Sequence, residues 1–96
     1  MPKSIHRPEY TVLCALLREK RLEAGLQQTE VSARLKRRQP FVSDVERGVR
    51  RLDLIEMQDL AEVYEVDLIE LIREYLQRAA AQGDSRTKKR PKQSTR

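Results

Sequence analysis

Apolar residues return at helical spacing in five separate segments of the chain. Val12, Leu13, Leu16 and Leu17 recur within residues 8–24, with Arg18, Lys20 and Glu23 between or beyond them, and this stretch is predicted to be a helix. Pro8 suits its first position, where the missing N–H has no intrahelical partner to lose. Gly25 follows as a left-handed stop on which Leu26 can pack. A short second helix is predicted over about 28–35, where Val31 and Leu35 form an i, i+4 apolar pair and Glu30 can reciprocate with Gln27 as a cap. Lys36-Arg37-Arg38 interrupts the pattern. A third helix starts near Gln39 or Pro40, carries Phe41, Val42 and Val45 as its apolar stripe, and ends near Arg47 at the stop Gly48. Asp53-x-x-Glu56 and Asp67-x-x-Glu70 each place a capping acid before an apolar run. They open a fourth helix at about 54–64, with Leu54, Met57, Leu60 and Ala61 on one side, and a fifth at about 68–81, with Leu68, Ile69, Leu71, Ile72 and Leu76.

No stretch alternates as a strand would, and no repeat is visible, so the expected fold class is all-α with five helices. The expected organisation is a flexible N-terminus at 1–7, one folded domain at 8–82 and a disordered basic tail at 83–96, which has no apolar residue able to anchor it.

Composition narrows the chemistry. Cys14 and His6 are the only residues of their kinds, which excludes a disulfide framework within the chain and a four-cysteine or histidine-rich metal site. Three glycines cannot build a glycine-rich phosphate loop, and no nucleophile–base pair stands out, so neither an enzyme nor a cofactor is expected. There is no apolar run of about 18 residues to span a membrane. Met1 to Tyr10 lacks the apolar core of a secretory signal, so a cytoplasmic protein is expected.

The position of the charge says more than its total. The chain of 96 residues has a formal net charge of +5, yet residues 34–51 alone hold seven basic side chains against two acidic ones. Residues 52–82 hold eight acidic against two basic, and 83–96 hold six basic against one acidic. A basic middle of this kind points to a polyanion partner. The acidic segment is expected to face away from it, since like charges repel.

The two short helices across 28–47 form the informative unit. Val31 and Leu35 face inward, Ser32 is small enough for a close crossing, and Val42 and Val45 close the core. The other face of the second of these helices carries Gln39, Ser43, Asp44 and Arg47, polar side chains that suit the major groove. Glutamine presents a donor and an acceptor together to adenine, and aspartate accepts from the cytosine amino group. Arginine's planar fork suits phosphate.

The run from Gln28 to Leu35, followed by Gln39-Pro40-Phe41-Val42-Ser43-Asp44-Val45-Glu46-Arg47-Gly48, resembles an XRE-type helix-turn-helix of the Cro and phage-repressor family. Arg21 to Leu26 is similar to that family's end of helix one, and Leu52 to Ile72 to its helices four and five, so the resemblance covers about residues 8–80. It implies a five-helix, lambda-repressor-like domain, usually dimeric, that binds operator DNA. Residue by residue, it implies a phosphate contact at Gln28 and base reading at Gln39. Pro40, Ser43 and Asp44 take further groove-facing positions. Arg38 and Arg47 lie at backbone-contacting ends, Arg37 in the turn, and Arg50 and Arg51 in the loop beyond. Arg21 and Glu46 match a pair that the family uses as an internal ion pair. Three departures stand out: Lys36 takes a turn position usually held by glycine, Arg37 replaces a small or apolar residue, and Pro40 should push Gln39 towards an extended cap.

The expected function is sequence-specific binding of double-stranded DNA by a bacterial or phage-like, nucleoid-associated repressor. It would act as a homodimer on a palindromic operator, with Ile69 in the dimer contact and Leu68 and Ile72 in the monomer core. The rival expectation keeps the fold and makes the chain an antitoxin or adaptor that binds a protein partner through its acidic C-terminal helices.

Overall fold

The computed structural model describes residues 7–82, which form five α-helices: α1 Pro8–Glu23, α2 Gln28–Arg34, α3 Pro40–Glu46, α4 Leu54–Val63 and α5 Leu68–Gln82. No strand occurs among the described residues. The expected tail at 83–96, and all of the expected flexible N-terminus except Arg7, lie outside them. Arg7 itself is the extended cap of α1, and its carbonyl accepts from the Tyr10 and Thr11 N–H groups.

Four helices in succession end in the same hydrogen-bonded stop. In each, the second residue past the helix cap donates back to a carbonyl near the helix end: Leu26 to Arg21, Arg37 to Ser32, Val49 to Asp44 and Val66 to Ala61. The residue before each donor is left-handed, which satisfies carbonyls that the helix itself leaves free. Gly25 and Gly48 adopt this conformation without strain. Lys36 and Glu65, both at φ 58°, adopt it against the steric preference of their side chains. α4 opens with the predicted capping box, in which the Glu56 N–H donates to Asp53 at 2.8 Å and the Asp53 N–H to Glu56 at 3.0 Å.

The core joins Leu16 and Leu17 of α1 with Val31 of α2, Phe41, Val42 and Val45 of α3, Leu60, Ala61 and Tyr64 of α4 and its cap, and Leu71 of α5. α1 packs on α3 and α5, and α2 on α3 and α4, so the short α3 is clasped between α1 and α2. Some apolar residues sit elsewhere than the sequence pattern implies. Leu54, expected on the inner side of α4, is exposed, since it is the first residue of the helix and stands at its end. On α5 the fully buried residue is Leu71, with Leu68 partly buried beside it, whereas Ile72 is only half-buried and lies outside the core cluster. A step of one residue turns a helix by about 100°, so Leu68, Leu71 and Tyr75 form the inner stripe and Ile69, Ile72 and Leu76 a neighbouring outer one.

Candidate nucleic-acid interface

α2 and α3 meet through Ser32, which is buried and small. Its hydroxyl donates to the Gln39 carbonyl at 3.2 Å and accepts from the Val42 N–H at 3.4 Å, linking the end of the turn to the start of α3. The Phe41 N–H donates to the Arg38 carbonyl at 2.9 Å and closes a turn around Gln39 and Pro40. These bonds overcome the preference of a residue before proline. Gln39 is helical, with φ −50° and ψ −41°, and not the extended cap that Pro40 led us to expect. The Gln39 and Arg38 side chains leave this turn exposed and make no side-chain hydrogen bond or ion pair among the described residues.

Beneath α3 lies the ion pair anticipated from the family pattern. Arg21 is buried and grips Glu46 with Nε to Oε2 at 2.6 Å and Nη2 to Oε1 at 3.0 Å, while its Nη1 donates to the Leu26 carbonyl at 2.9 Å. Glu46 beside it raises the Arg21 pKa, fixing the guanidinium as a cation. The Gln28 amide also donates to Glu46, at 2.9 Å. The residue assigned a phosphate contact therefore ties α2 to the end of α3, and it is only half-buried.

The outer residues of α3 are less open than their sequence pattern implies. Arg47 is exposed but pairs with Asp44 one turn earlier, and its Nε donates to the Ser43 carbonyl at 3.4 Å. The Ser43 hydroxyl donates to the Pro40 carbonyl at 3.2 Å. Across the loop, Tyr10 donates its hydroxyl to the Arg50 carbonyl, and Arg51 lies over the Tyr10 ring at 4.8 Å. Burial pushes the Tyr10 phenol up to about 12, so the donor stays protonated. Burial likewise raises the Cys14 thiol, which is buried and not a reactive thiolate.

One acidic residue breaks the expected separation of charge. Glu56, from the segment expected to face away from the polyanion, turns back to the basic loop. It accepts from Arg50 Nη1 at 3.1 Å and Nη2 at 2.9 Å, and also from Arg37 Nη2. The capping box is the physical reason: a side chain at its third position must point back towards the cap and the preceding loop. Arg37 and Arg50 therefore reach the surface as paired cations, both stacked on Phe41 at 4.6 and 4.9 Å from its ring centre. The spacing Arg50 to Asp53-x-x-Glu56 was the available signal, since it puts a backward-pointing carboxylate next to that arginine.

Lys36, Arg37, Arg38, Pro40, Phe41, Asp44 and Arg50 together line an open groove of about 500 Å³ at the start of α3. Four of these seven are cations, so the groove attracts an anion. No group of three or more histidine, cysteine or acidic residues able to hold a metal occurs among the described residues. No helix there is long and apolar enough to cross a membrane.

Comparison with known proteins agrees with this geometry. A helix-turn-helix family model matches residues 17–71, from the middle of α1 into α5. The chain is also similar to a solved structure, an XRE-family like protein from Pseudomonas syringae pv. tomato str. DC3000, with 42% identity and a TM-score of 0.69 over 76% of this chain and 89% of that one. No curated protein matches the chain. The five helices, the crossing of α2 and α3 and the cationic groove at the start of α3 thus belong with a shared sequence pattern, and the chain is a member of the XRE-type helix-turn-helix family of DNA-binding, non-enzymatic transcription regulators.

Proposed function

We propose that the protein is a sequence-specific repressor that binds double-stranded DNA as a homodimer on a palindromic operator, in the cytoplasm and on the nucleoid. The observation that carries this reading is the open end of α3. Gln39 and Arg38 are exposed and without protein partners there, at the rim of a groove dominated by cations. Gln39 would read a base edge through its amide, Arg38 and Lys36 would meet phosphate, and Ser43 and Asp44 would follow along the groove. Gln28, Arg47 and Arg51 would support the backbone contacts, and Arg37 and Arg50 would do so as a pair. Occupation of the operator by the domain would block transcription directly.

Selection of bound sites from random duplexes tests the reading, followed by two substitutions. Gln39→Ala should lose preference at one base position and cost about 1–3 kcal/mol on the selected site. Arg38→Ala should weaken all sequences alike. If Gln39→Ala changes neither affinity nor preference, α3 does not read DNA through this residue.

The exposed Leu54, Ile55, Ile69 and Leu76 of α4 and α5 favour a protein contact in addition. A second copy is the occupant proposed here. A different protein co-purifying at a fixed ratio would support the antitoxin or adaptor role instead.

A further inference from the structure

Glu56 offers a buried carboxylate to two arginines on the face assigned to DNA, and the base and phosphate contacts proposed above give it no task. Its side chain is about one-tenth exposed, whereas those of Arg37 and Arg50 are more than a third exposed. Both carboxylate oxygens are occupied: one accepts from the Asp53 N–H and Arg50, the other from Arg50 and Arg37. The two guanidinium groups rest on one aromatic ring, Phe41, which is itself buried in the core. Arg50 is further fixed by a 2.6 Å bond from Nη1 to the Arg51 carbonyl. Two cations share one anion, so the cluster keeps a net positive charge. Nε of both arginines and Nη1 of Arg37 have no acceptor among the described residues.

We infer that Glu56 is a positioning residue for DNA binding, holding Arg37 and Arg50 side by side on Phe41 as a preformed clamp for the phosphate backbone. The inference rests on the proposed DNA-binding function and deepens it. Long arginine side chains lose rotamer freedom when they engage a ligand, and a carboxylate that orders them beforehand removes much of that loss. A planar fork held at one edge by a carboxylate presents its other N–H groups to a phosphate in a fixed direction. Preorganisation and simple charge make opposite forecasts here. Removing a carboxylate from a cationic face raises the net attraction for DNA, so long-range electrostatics alone predicts tighter binding for Glu56→Gln. A positioning role predicts weaker binding.

Glu56→Gln separates the clamp from the cap. A glutamine at the third helical position still accepts from the Asp53 N–H and keeps α4 capped, but it cannot hold two arginines as a carboxylate does. Binding to a mixed-sequence duplex of about 30 base pairs is measured by fluorescence anisotropy at several salt concentrations, because phosphate contacts set the salt slope and do not depend on sequence. The expected result is affinity lowered about tenfold, with a log–log salt slope shallower by about 1–2, the size of one or two lost phosphate contacts. A folded Glu56→Gln protein that binds as tightly as the parent, or more tightly, with the same slope, overturns the inference. A parent that binds no duplex overturns the proposed function and this inference together. Arg50→Lys decides the matter if Glu56→Gln fails to fold: it keeps the charge but loses the fork and the stacking. The clamp predicts weaker binding for this variant, and unchanged binding overturns it.

Discussion

Glu46 holds three side chains at once: Arg21 through two bonds, the Gln28 amide, and Arg18 at the longer distance of 4.0 Å. Removing it strands the buried Arg21 charge, so Glu46→Ala should cost about 3–5 kcal/mol, read as a large fall in melting temperature. A melt close to that of the parent would show that the pair contributes little. The left-handed residues give a prediction of opposite sign. Glu65 is exposed at φ 58° and has no ion pair or side-chain hydrogen bond among the described residues to lose. Glycine relieves about 1–2 kcal/mol of steric strain there, against about 0.4–1 kcal/mol of added freedom in the unfolded chain. Glu65→Gly should therefore stabilise the protein by up to about 1.5 kcal/mol, seen as a higher denaturant midpoint. A lower midpoint would mean that the carboxylate serves the fold. Of these residues, Arg21 and Glu46 were legible from the spacing they share with the family, and Lys36 from its place in the turn. Glu65 was not, because nothing beside it marks a stop: its left-handed turn is dictated by Val66 packing back on the core.

At the scale of helices, all five were legible, because each carries its own start or stop signal, in Pro8 and Gly25, in Gln27 with Glu30, in Gly48, in Asp53 and in Asp67. What local pattern could not show was which arginines are free. Pairing of Glu56 with Arg50 follows from local spacing, but its pairing with Arg37 depends on how α4 meets the turn after α2, and that is a tertiary fact. The same holds for the clasp between α1 and α5. Arg78 donates to Glu19 at 2.9 and 3.0 Å and to Glu74 at 2.8 Å, and Lys20 pairs with Glu74 at 3.0 Å. The hydrogen bond from Arg78 lowers the Glu19 pKa, and that from Lys20 lowers the Glu74 pKa. Glu56 is also lowered, since its bonds to Asp53, Arg50 and Arg37 outweigh the upward push of burial. In each case the unfolded chain takes up the proton first as pH falls. The stabilisation is complete above the ordinary carboxylate value of 4.5 and is lost as pH falls below it through the folded-state values. Thermal melts should thus be level from about pH 7 to 5 and decline below about 4.5. Glu19→Gln combined with Glu74→Gln should make that decline shallower. An unchanged decline would show that the clasp does not govern acid stability.

At the scale of the whole molecule, the protein presents two kinds of surface: a cationic groove at α3 and an apolar stripe on α5. Ile69 and Leu76 are 58% and 57% exposed, so the stripe is not consumed by the core. A symmetric dimer through α5 would cover it and set two α3 helices about 34 Å apart, the spacing of successive major grooves. Ile69→Glu should yield a folded monomer of unchanged helicity with reduced DNA affinity, as followed by analytical ultracentrifugation and circular dichroism. A monomeric parent at tens of micromolar would remove the dimer from the proposal. The shortness of the central helices has a further consequence. α2 and α3 have seven residues each, well under the length at which a helix persists alone in water. The DNA-reading unit thus exists only while the core around Leu16, Leu17 and Val45 is assembled, and the unfolded chain offers no partial site. DNA binding then withdraws molecules from the unfolded pool, by about 2.7 kcal/mol when free DNA exceeds its dissociation constant a hundredfold. Proteases that act on unfolded chains would spare the DNA-bound protein and clear the unbound excess, so the supply of binding sites would set how long each molecule lasts.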